Sequence, residues 1–87
     1  LEIALEGRLD TTTAPQLEQE ARASLTGITA LVISLDKLEY ISSAGLRVLL
    51  FMQKLMNNQG TMVVRGATEP VREVFDITGF SDILTLE

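Results

Sequence analysis

Hydrophobic and polar residues alternate at the start of the chain. Leu1, Ile3 and Leu5 are separated by acidic or small residues, and the pattern stops at Gly7. A period of two residues is typical of a strand with one buried face, so we predict a half-buried strand that ends at Gly7. The residues from Gly7 to Thr13 predict a loop.

A helical period of apolar residues follows this loop. Thr13 and Gln16 have the spacing of a capping box, and Pro15 suits the first turn of a helix. The apolar positions that share one helical face are Ala14, Leu17, Ala21 and Leu25. Gly27 is typical of a residue that ends a helix. We therefore predict a helix between Thr13 and Gly27.

The rest of the chain alternates between short apolar runs and helical periods. Ala30–Leu35 is a nearly continuous apolar run, which is typical of a strand covered on both faces, and Asp36 with Lys37 predicts a turn after it. The further predicted elements are a long helix over Ser43–Asn57, a strand over Thr61–Arg65, a short helix capped by Thr68 that ends at Gly79, and a last strand over Ile83–Leu86. This β-α-β-α-β-α-β order predicts an α/β fold with one mostly parallel sheet and crossover helices.

Composition excludes several classes of function. The 87 residues contain no cysteine and no histidine, which excludes disulfides, thiolate or imidazole metal sites, and Ser-His or Cys-His nucleophiles. The phosphate-binding motifs G-x-G-x-x-G and G-x-x-x-x-G-K-[ST] are also absent. We therefore expect no cofactor, and the lack of cysteine and histidine leads us to expect no metal. Twelve acidic residues against seven basic ones give a net charge of −5, which disfavours nucleic acid and anionic membranes as partners. No apolar run approaches the roughly 20 residues that span a bilayer.

Two serines lie where a strand is predicted to give way to the long helix. Ser42 suits the N-cap and Ser43 the first helical position. Gly45 lies inside the helix, where glycine costs about 0.5–1 kcal/mol relative to alanine, so we expect another element to approach closely there. On a helical wheel the core face contains Gly45, Val48, Leu49, Met52, Leu55 and Met56.

The opposite side of this helix carries Ser43, Arg47, Leu50 and Lys54, with Phe51 at its flank. Scattered apolar exposure is common on soluble proteins, and it would account for Leu50 and Phe51. A docking surface with an apolar anchor and a charged rim would use the same residues. Helical geometry alone leaves both interpretations open, and it predicts that Ser43 is exposed.

Three segments, in order, resemble the STAS domains of anti-sigma-factor antagonists. Asp36–Leu50 resembles the family's strand, its Asp-Ser-x-Gly-Leu motif and the helix that follows. Gly7–Asp10 resembles its Gly-x-Leu-Asp turn, and Val71–Phe75 with Gly79 and Phe80 resembles its last helix and turn. The resemblance implies a single small SpoIIAA-like STAS domain over residues 1–87. Because the chain opens directly on a strand pattern, we expect that it lacks a short N-terminal strand.

The resemblance also implies a function, which is partner switching in transcription control. An unphosphorylated antagonist of this family binds an anti-sigma factor that is itself a serine kinase, and the sigma factor is released. The kinase then phosphorylates a serine, the complex separates, and a PP2C-type phosphatase resets the switch. The motif places that serine on Ser43 and implies a cytoplasmic regulator that is not an enzyme. We expect the partner-binding residues to be Asp10, Thr11, Thr12, Ser42, Ser43, Ala44, Arg47, Leu50, Phe51 and Lys54.

This chain departs from the family motif on both sides of Ser43. Ser42 replaces the usual aspartate, and Ala44 stands where some members have a second serine. A phosphate on Ser43 adds about −1.5 to −2 charges, which a helix N-terminus tolerates and Arg47 can pair with one turn later. A partner docked over the same surface meets that charge, and a loss of ~3 kcal/mol weakens binding more than a hundredfold.

Two other functions stay open at this point. STAS-like domains also serve as accessory subunits of lipid-transport ATPases and as domains of anion transporters, and in that case Ser43 is only part of a helix start. The other alternative is a small enzyme that uses carboxylates such as Asp10 and Glu39.

Overall fold

The computed structural model describes residues 1–87, which form three strands and three helices in alternation. In chain order they are β1 (Glu2–Leu9), α1 (Ala14–Ser24), β2 (Ala30–Ile41), α2 (Ser43–Asn57), β3 (Thr61–Arg65) and α3 (Glu69–Thr78), followed by a 3₁₀ turn at Phe80–Asp82. This is the α/β architecture that the sequence predicts. None of the helices combines the length and apolar character that crossing a bilayer requires.

The sheet has the order β1-β2-β3, and both pairs of neighbours are parallel. Each step along the chain therefore moves one strand in the same direction, so right-handed crossovers place α1 and α2 on the same face of the sheet. The two helices pack against each other there. Twenty buried apolar side chains form one core cluster between the helices and the sheet.

The core lies on one face of β2 only. Leu31, Ile33 and Leu35 are buried, whereas Val32 and Ser34 on the other face are half-buried. The prediction that this strand is covered on both faces is therefore wrong. The apolar run is continuous because Val32 adds a β-branched residue on the open face, and not because a second layer of helices covers it.

Both long strands extend beyond their predicted ends. β1 reaches Leu9, and β2 continues through Asp36 and Lys37 to Ile41 without the predicted turn. The pairing register shifts twice between the two strands, and each shift inserts one additional residue in β2. Such bulges break the alternation of apolar and polar residues, which is why the pattern suggested an early end.

Neither threonine predicted to cap a helix does so through its side chain. The Thr13 hydroxyl accepts from the backbone N–H of Asp10 at 2.9 Å and donates to the carbonyl oxygen of Arg8 at 2.8 Å. The Thr68 hydroxyl donates to the carbonyl oxygen of Leu38 at 3.0 Å. Each hydroxyl ties its loop to a strand, and this use competes with capping.

The predicted last strand is reduced to a single contact with the sheet. Leu86 forms one isolated parallel bridge to Val64, with hydrogen bonds from the Val64 N–H to Thr85 at 2.8 Å and from the Glu87 N–H to Val64 at 2.9 Å. The residues before it form the 3₁₀ turn, so too few remain for a longer ladder.

Candidate partner-binding site

β1 and β2 end side by side, and α2 begins at the same edge of the sheet. Leu9 and Ile41 are partners in the register, and the backbone N–H of Ser42 donates to the carbonyl oxygen of Leu9 at 2.9 Å. This arrangement brings the loop after β1 next to the start of α2. The predicted segments around Asp10 and Ser43 therefore share one edge of the domain.

The two adjacent serines have different environments. Ser42 has an extended backbone, is half-buried, and accepts a hydrogen bond from the backbone N–H of Gly45 at 3.4 Å, so it is the N-cap of α2. Ser43 is the first residue of the helix and is exposed. Both features agree with the prediction, and the capping hydroxyl belongs to Ser42, which leaves the Ser43 hydroxyl free of that role.

Gly45 fixes the start of α2 against the end of the sheet. A Cβ atom at this position would lie 2.8 Å from the Leu9 carbonyl oxygen and 2.8 Å from Cγ1 of Ile41. Carbon atoms at that distance overlap, so only glycine allows the helix to come this close. The predicted close approach is confirmed, and it holds Ser43 in a defined position above the strand ends.

The carboxylate of Asp10 organises the loop after β1. Its Oδ1 accepts from the backbone N–H groups of Thr12 at 2.9 Å and Thr13 at 3.2 Å, and its Oδ2 lies 3.5 Å from Nε of Arg8. These hydrogen bonds, first the one from Thr12, hold the pKa of Asp10 below its usual value. Asp10 thus shapes the loop, while Thr11 and Thr12 are its exposed side chains.

The two apolar residues predicted on the outer side of α2 differ in packing. Phe51 is half-buried, packs against the core, and has the guanidinium of Arg22 4.5 Å from its ring centre. Leu50 is also half-buried, but it does not belong to the partly buried apolar side chains that pack against the core. Phe51 therefore belongs to the contact between α1 and α2, and Leu50 is the apolar side chain more available to a partner.

A depression of about 310 Å³ separates the first turns of α1 and α2. It combines predicted residues from the loop and the helix, and its lining consists of Thr11, Ala14, Pro15, Glu18, Ala44, Arg47 and Val48. Of the ten predicted binding residues only Thr11, Ala44 and Arg47 line it, and the others, including Ser43, lie outside its lining. The predicted residues thus form an edge with a shallow groove and, beside it, the exposed side of α2.

Sequence reasoning missed a cation–π pair near the same strand ends. Arg8 and Tyr40 are partners in the strand register, the Arg8 guanidinium lies 4.3 Å from the centre of the Tyr40 ring, and Tyr40 is 42% exposed. Arginine and tyrosine are enriched among residues that dominate binding energy. No local pattern in the sequence indicates the pair, because it depends on β2 continuing past its predicted end.

The carboxylates considered for catalysis do not form a cluster. Glu39 is exposed on β2, and the Asp10 carboxylate is engaged within its own loop. No group of three or more acidic side chains is placed to hold a metal ion.

Comparison with known proteins identifies the family. Residues 1–86 match the family described as "Mlab, STAS domain", so the chain belongs to the STAS family.

The individual relatives are named as antagonists of anti-sigma factors. BtrV of Bordetella bronchiseptica, described as a candidate anti-sigma factor antagonist, is 43% identical over 81 residues, which cover 91% of this chain and 70% of that protein. A solved anti-sigma factor antagonist from Mycobacterium paratuberculosis superposes with a TM-score of 0.88 at 28% identity, over 98% of this chain and 74% of the other. The anti-sigma factor antagonist SpoIIAA in its unphosphorylated form superposes with a TM-score of 0.82 at 21% identity, over 99% of this chain and 77% of the other. The fold is therefore SpoIIAA-like, and the chain belongs with the anti-sigma-factor antagonists.

Proposed function

We propose that this chain binds an anti-sigma factor that is a serine kinase, and that phosphorylation of Ser43 releases it. The observation that carries the proposal is the position of Ser43, which is exposed at the first residue of α2 and directly precedes Ala44, a residue that lines the groove between the two helices. A partner seated on this edge covers the hydroxyl. Modification of that hydroxyl then acts directly on the interface.

The difference between the two serines supports Ser43 as the acceptor. Ser42 is half-buried and its oxygen accepts the capping hydrogen bond, so its modification would disturb the helix start. In the proposed step, Oγ of Ser43 forms a bond to the γ-phosphorus of ATP, the bond from that phosphorus to ADP breaks, and the hydroxyl proton passes to a base on the kinase. The phosphate then lies at a helix N-terminus, where the domain tolerates a negative charge.

The remaining parts of the proposal follow from partner switching. The relatives are named for antagonism of anti-sigma factors, and one structural relative is described in an unphosphorylated form. We infer that a PP2C-type phosphatase restores the hydroxyl, that the exchange takes place in the cytoplasm, and that the chain acts by binding and not by catalysis. Asp10, Thr11, Thr12, Ser42, Ala44, Arg47, Leu50, Phe51 and Lys54 are the proposed binding residues around Ser43.

The proposal is tested with the anti-sigma factors encoded in the genome that carries this chain. Each is purified, its binding to the chain is measured, and the chain is weighed by intact mass spectrometry after incubation with ATP and that factor. We expect one factor to bind and to add one phosphate, Ser43→Ala to prevent the addition, and Ser42→Ala to permit it. A phosphate on Ser42, or capture of a transporter ATPase in place of every anti-sigma factor, would contradict the proposal.

A further inference from the structure

α2 differs from the other helices in its charge. Its residues 43–57 include Arg47 and Lys54 but no aspartate or glutamate, although the chain has twelve acidic residues. α1 and α3 both carry acidic residues beside their arginines. The exposed side of α2 is therefore locally cationic on a chain whose net charge is −5.

The two cations of α2 also have no carboxylate within 4.0 Å, unlike most cations of the chain. The cations that do form ion pairs are Arg8, Arg22, Lys37 and Arg65. The carboxylate that shares the groove with Arg47 is Glu18, and its Oε2 pairs with Nε of Arg22 at 3.5 Å. Arg47 and Lys54 are thus exposed cations that the fold itself does not use.

We propose that Arg47 and Lys54 bind an acidic segment of the partner, with Leu50 between them as the apolar contact, and that a phosphate on Ser43 displaces this segment by pairing with Arg47. The inference rests on the proposed function and names the chemistry of the partner surface. Arg47, Leu50 and Lys54 lie in line on the exposed side of α2, at spacings of three and four residues, and form the cationic row.

Charge complementarity selects an acidic polypeptide as the occupant. Opposite charges across an interface raise the association rate and fix the register, and the row offers two cations around one half-exposed leucine. Lys54 lies seven positions after Arg47, which is about 10 Å along the helix axis. The partner segment therefore presents two carboxylates about 10 Å apart with an apolar side chain between them. Nucleic acid is disfavoured because the rest of the chain is acidic.

The phosphate competes for the same arginine. Arg47 lies four residues after Ser43, a spacing at which side chains on a helix meet, and a serine phosphate before an arginine has the favourable orientation. A phosphate is close to a dianion at neutral pH and forms charge-assisted hydrogen bonds with a guanidinium. Phosphorylation thus adds repulsion and also removes the cation that held the partner.

The intramolecular half of this proposal is tested without a partner. Phosphoserine is incorporated at position 43 during translation, and the second pKa of the phosphate is measured by ³¹P NMR. We expect Arg47→Gln to raise this pKa relative to the parent chain, because the guanidinium favours the dianion. Lys54→Gln, about three turns from the phosphate, serves as the control and leaves this pKa unchanged. Equal pKa values in the parent and Arg47→Gln would overturn the pairing.

The docking half is tested with the anti-sigma factor that binds the unmodified chain. Arg47→Gln and Lys54→Gln are each expected to raise Kd about 3- to 10-fold at about 50 mM salt and less at about 300 mM, since salt screens exposed charges. The matched control is Arg72→Gln on α3, which removes an exposed arginine that has no ion pair and changes Kd less than about twofold.

The outcomes separate this inference from the function on which it rests. If the parent chain binds none of the anti-sigma factors, the proposed function fails and the docking site fails with it. If the parent chain binds but both variants match Arg72→Gln, only the docking site is wrong. Equally tight binding of a single-stranded DNA oligonucleotide to the parent chain, lost in both variants, would also overturn the acidic polypeptide as the occupant.

Discussion

The carbonyl oxygen of Leu9 lies 2.8 Å from the point where a Cβ atom on Gly45 would be. The end of β1 and the first turn of α2 are therefore in direct contact, and the position of Ser43 depends on that contact. The neighbours of the missing Cβ include backbone as well as core side chains, so they cannot yield by a simple change of rotamer.

Gly45→Ala tests this packing. The change improves helix propensity by about 1 kcal/mol, but it forces a methyl group into a filled space, which costs more. Because overpacking at a rigid site costs up to about 3 kcal/mol, we expect a net destabilisation of about 1–2 kcal/mol, measured as a lower urea midpoint. An unchanged or higher midpoint would show that α2 can move away from the strand ends.

Alanine substitutions at Ser42 and Ser43 distinguish the helix N-cap from the proposed phosphorylation site. Ser42→Ala removes the capping oxygen and is expected to cost about 0.5–1 kcal/mol, the lower part of the range for caps because the contact is long. Ser43→Ala is expected to change the free energy of unfolding by less than about 0.5 kcal/mol, since its side chain is exposed. Urea denaturation of both variants measures the difference, and a larger loss at Ser43 would reverse the assignment.

Two adjacent leucines of α2 provide a second matched pair. Leu49 is fully buried in the core, so Leu49→Ala is expected to cost about 2–5 kcal/mol. Leu50→Ala is expected to cost about 1 kcal/mol or less and to weaken partner binding about tenfold. Denaturation and calorimetric titration together check both effects. A Leu50 variant that is strongly destabilised but binds normally would place this side chain in the core.

We predict that the stability of the fold depends on pH through the Asp10 carboxylate. Its pKa is lowered in the folded chain, so the native state favours the charged form and the unfolded state binds the proton first. The stabilisation is therefore present above the unfolded pKa of about 3.9 and is lost as the pH falls through the lower folded value. Asp10→Asn should be less stable than the parent at neutral pH, and the difference should disappear in acid. A difference that grows below about pH 4 would contradict this sign.

The pattern of apolar and polar residues along the sequence was enough to predict the architecture. The alternation around Ile3 and Leu5 located β1. Five of the six residues predicted on the core face of α2 are buried, and the sixth, Leu55, is half-buried and packs against the core. Leu46 and Gln53 are also buried in that helix, although the first lies at the margin of the predicted face and the second is polar. Helical periodicity gives the direction of a face and not its breadth, which depends on the neighbouring elements.

The missed features depend on pairing between segments distant in sequence. The bulges of β2 exist only relative to β1, and the contact of Arg8 with Tyr40 depends on that register. In the same way, Thr68 has the residue type of a cap, but its hydroxyl donates to the carbonyl oxygen of Leu38, 30 residues earlier in the chain. Thr13 is a local exception, because its hydroxyl bonds Arg8 and Asp10 just before it and competes with the cap within its own loop. Local patterns predicted the elements, and tertiary pairing decided how their ends are used.

The most direct measurement compares two chains that differ only by a phosphate on Ser43. Phosphoserine is placed at position 43, and calorimetry gives the Kd of the modified and unmodified chains for the anti-sigma factor that binds the latter. We predict that the modified chain keeps its circular dichroism spectrum and binds more than about a hundredfold more weakly, which corresponds to a loss of ~3 kcal/mol. A phosphorylated chain that binds within about twofold of the unmodified one would contradict the switch.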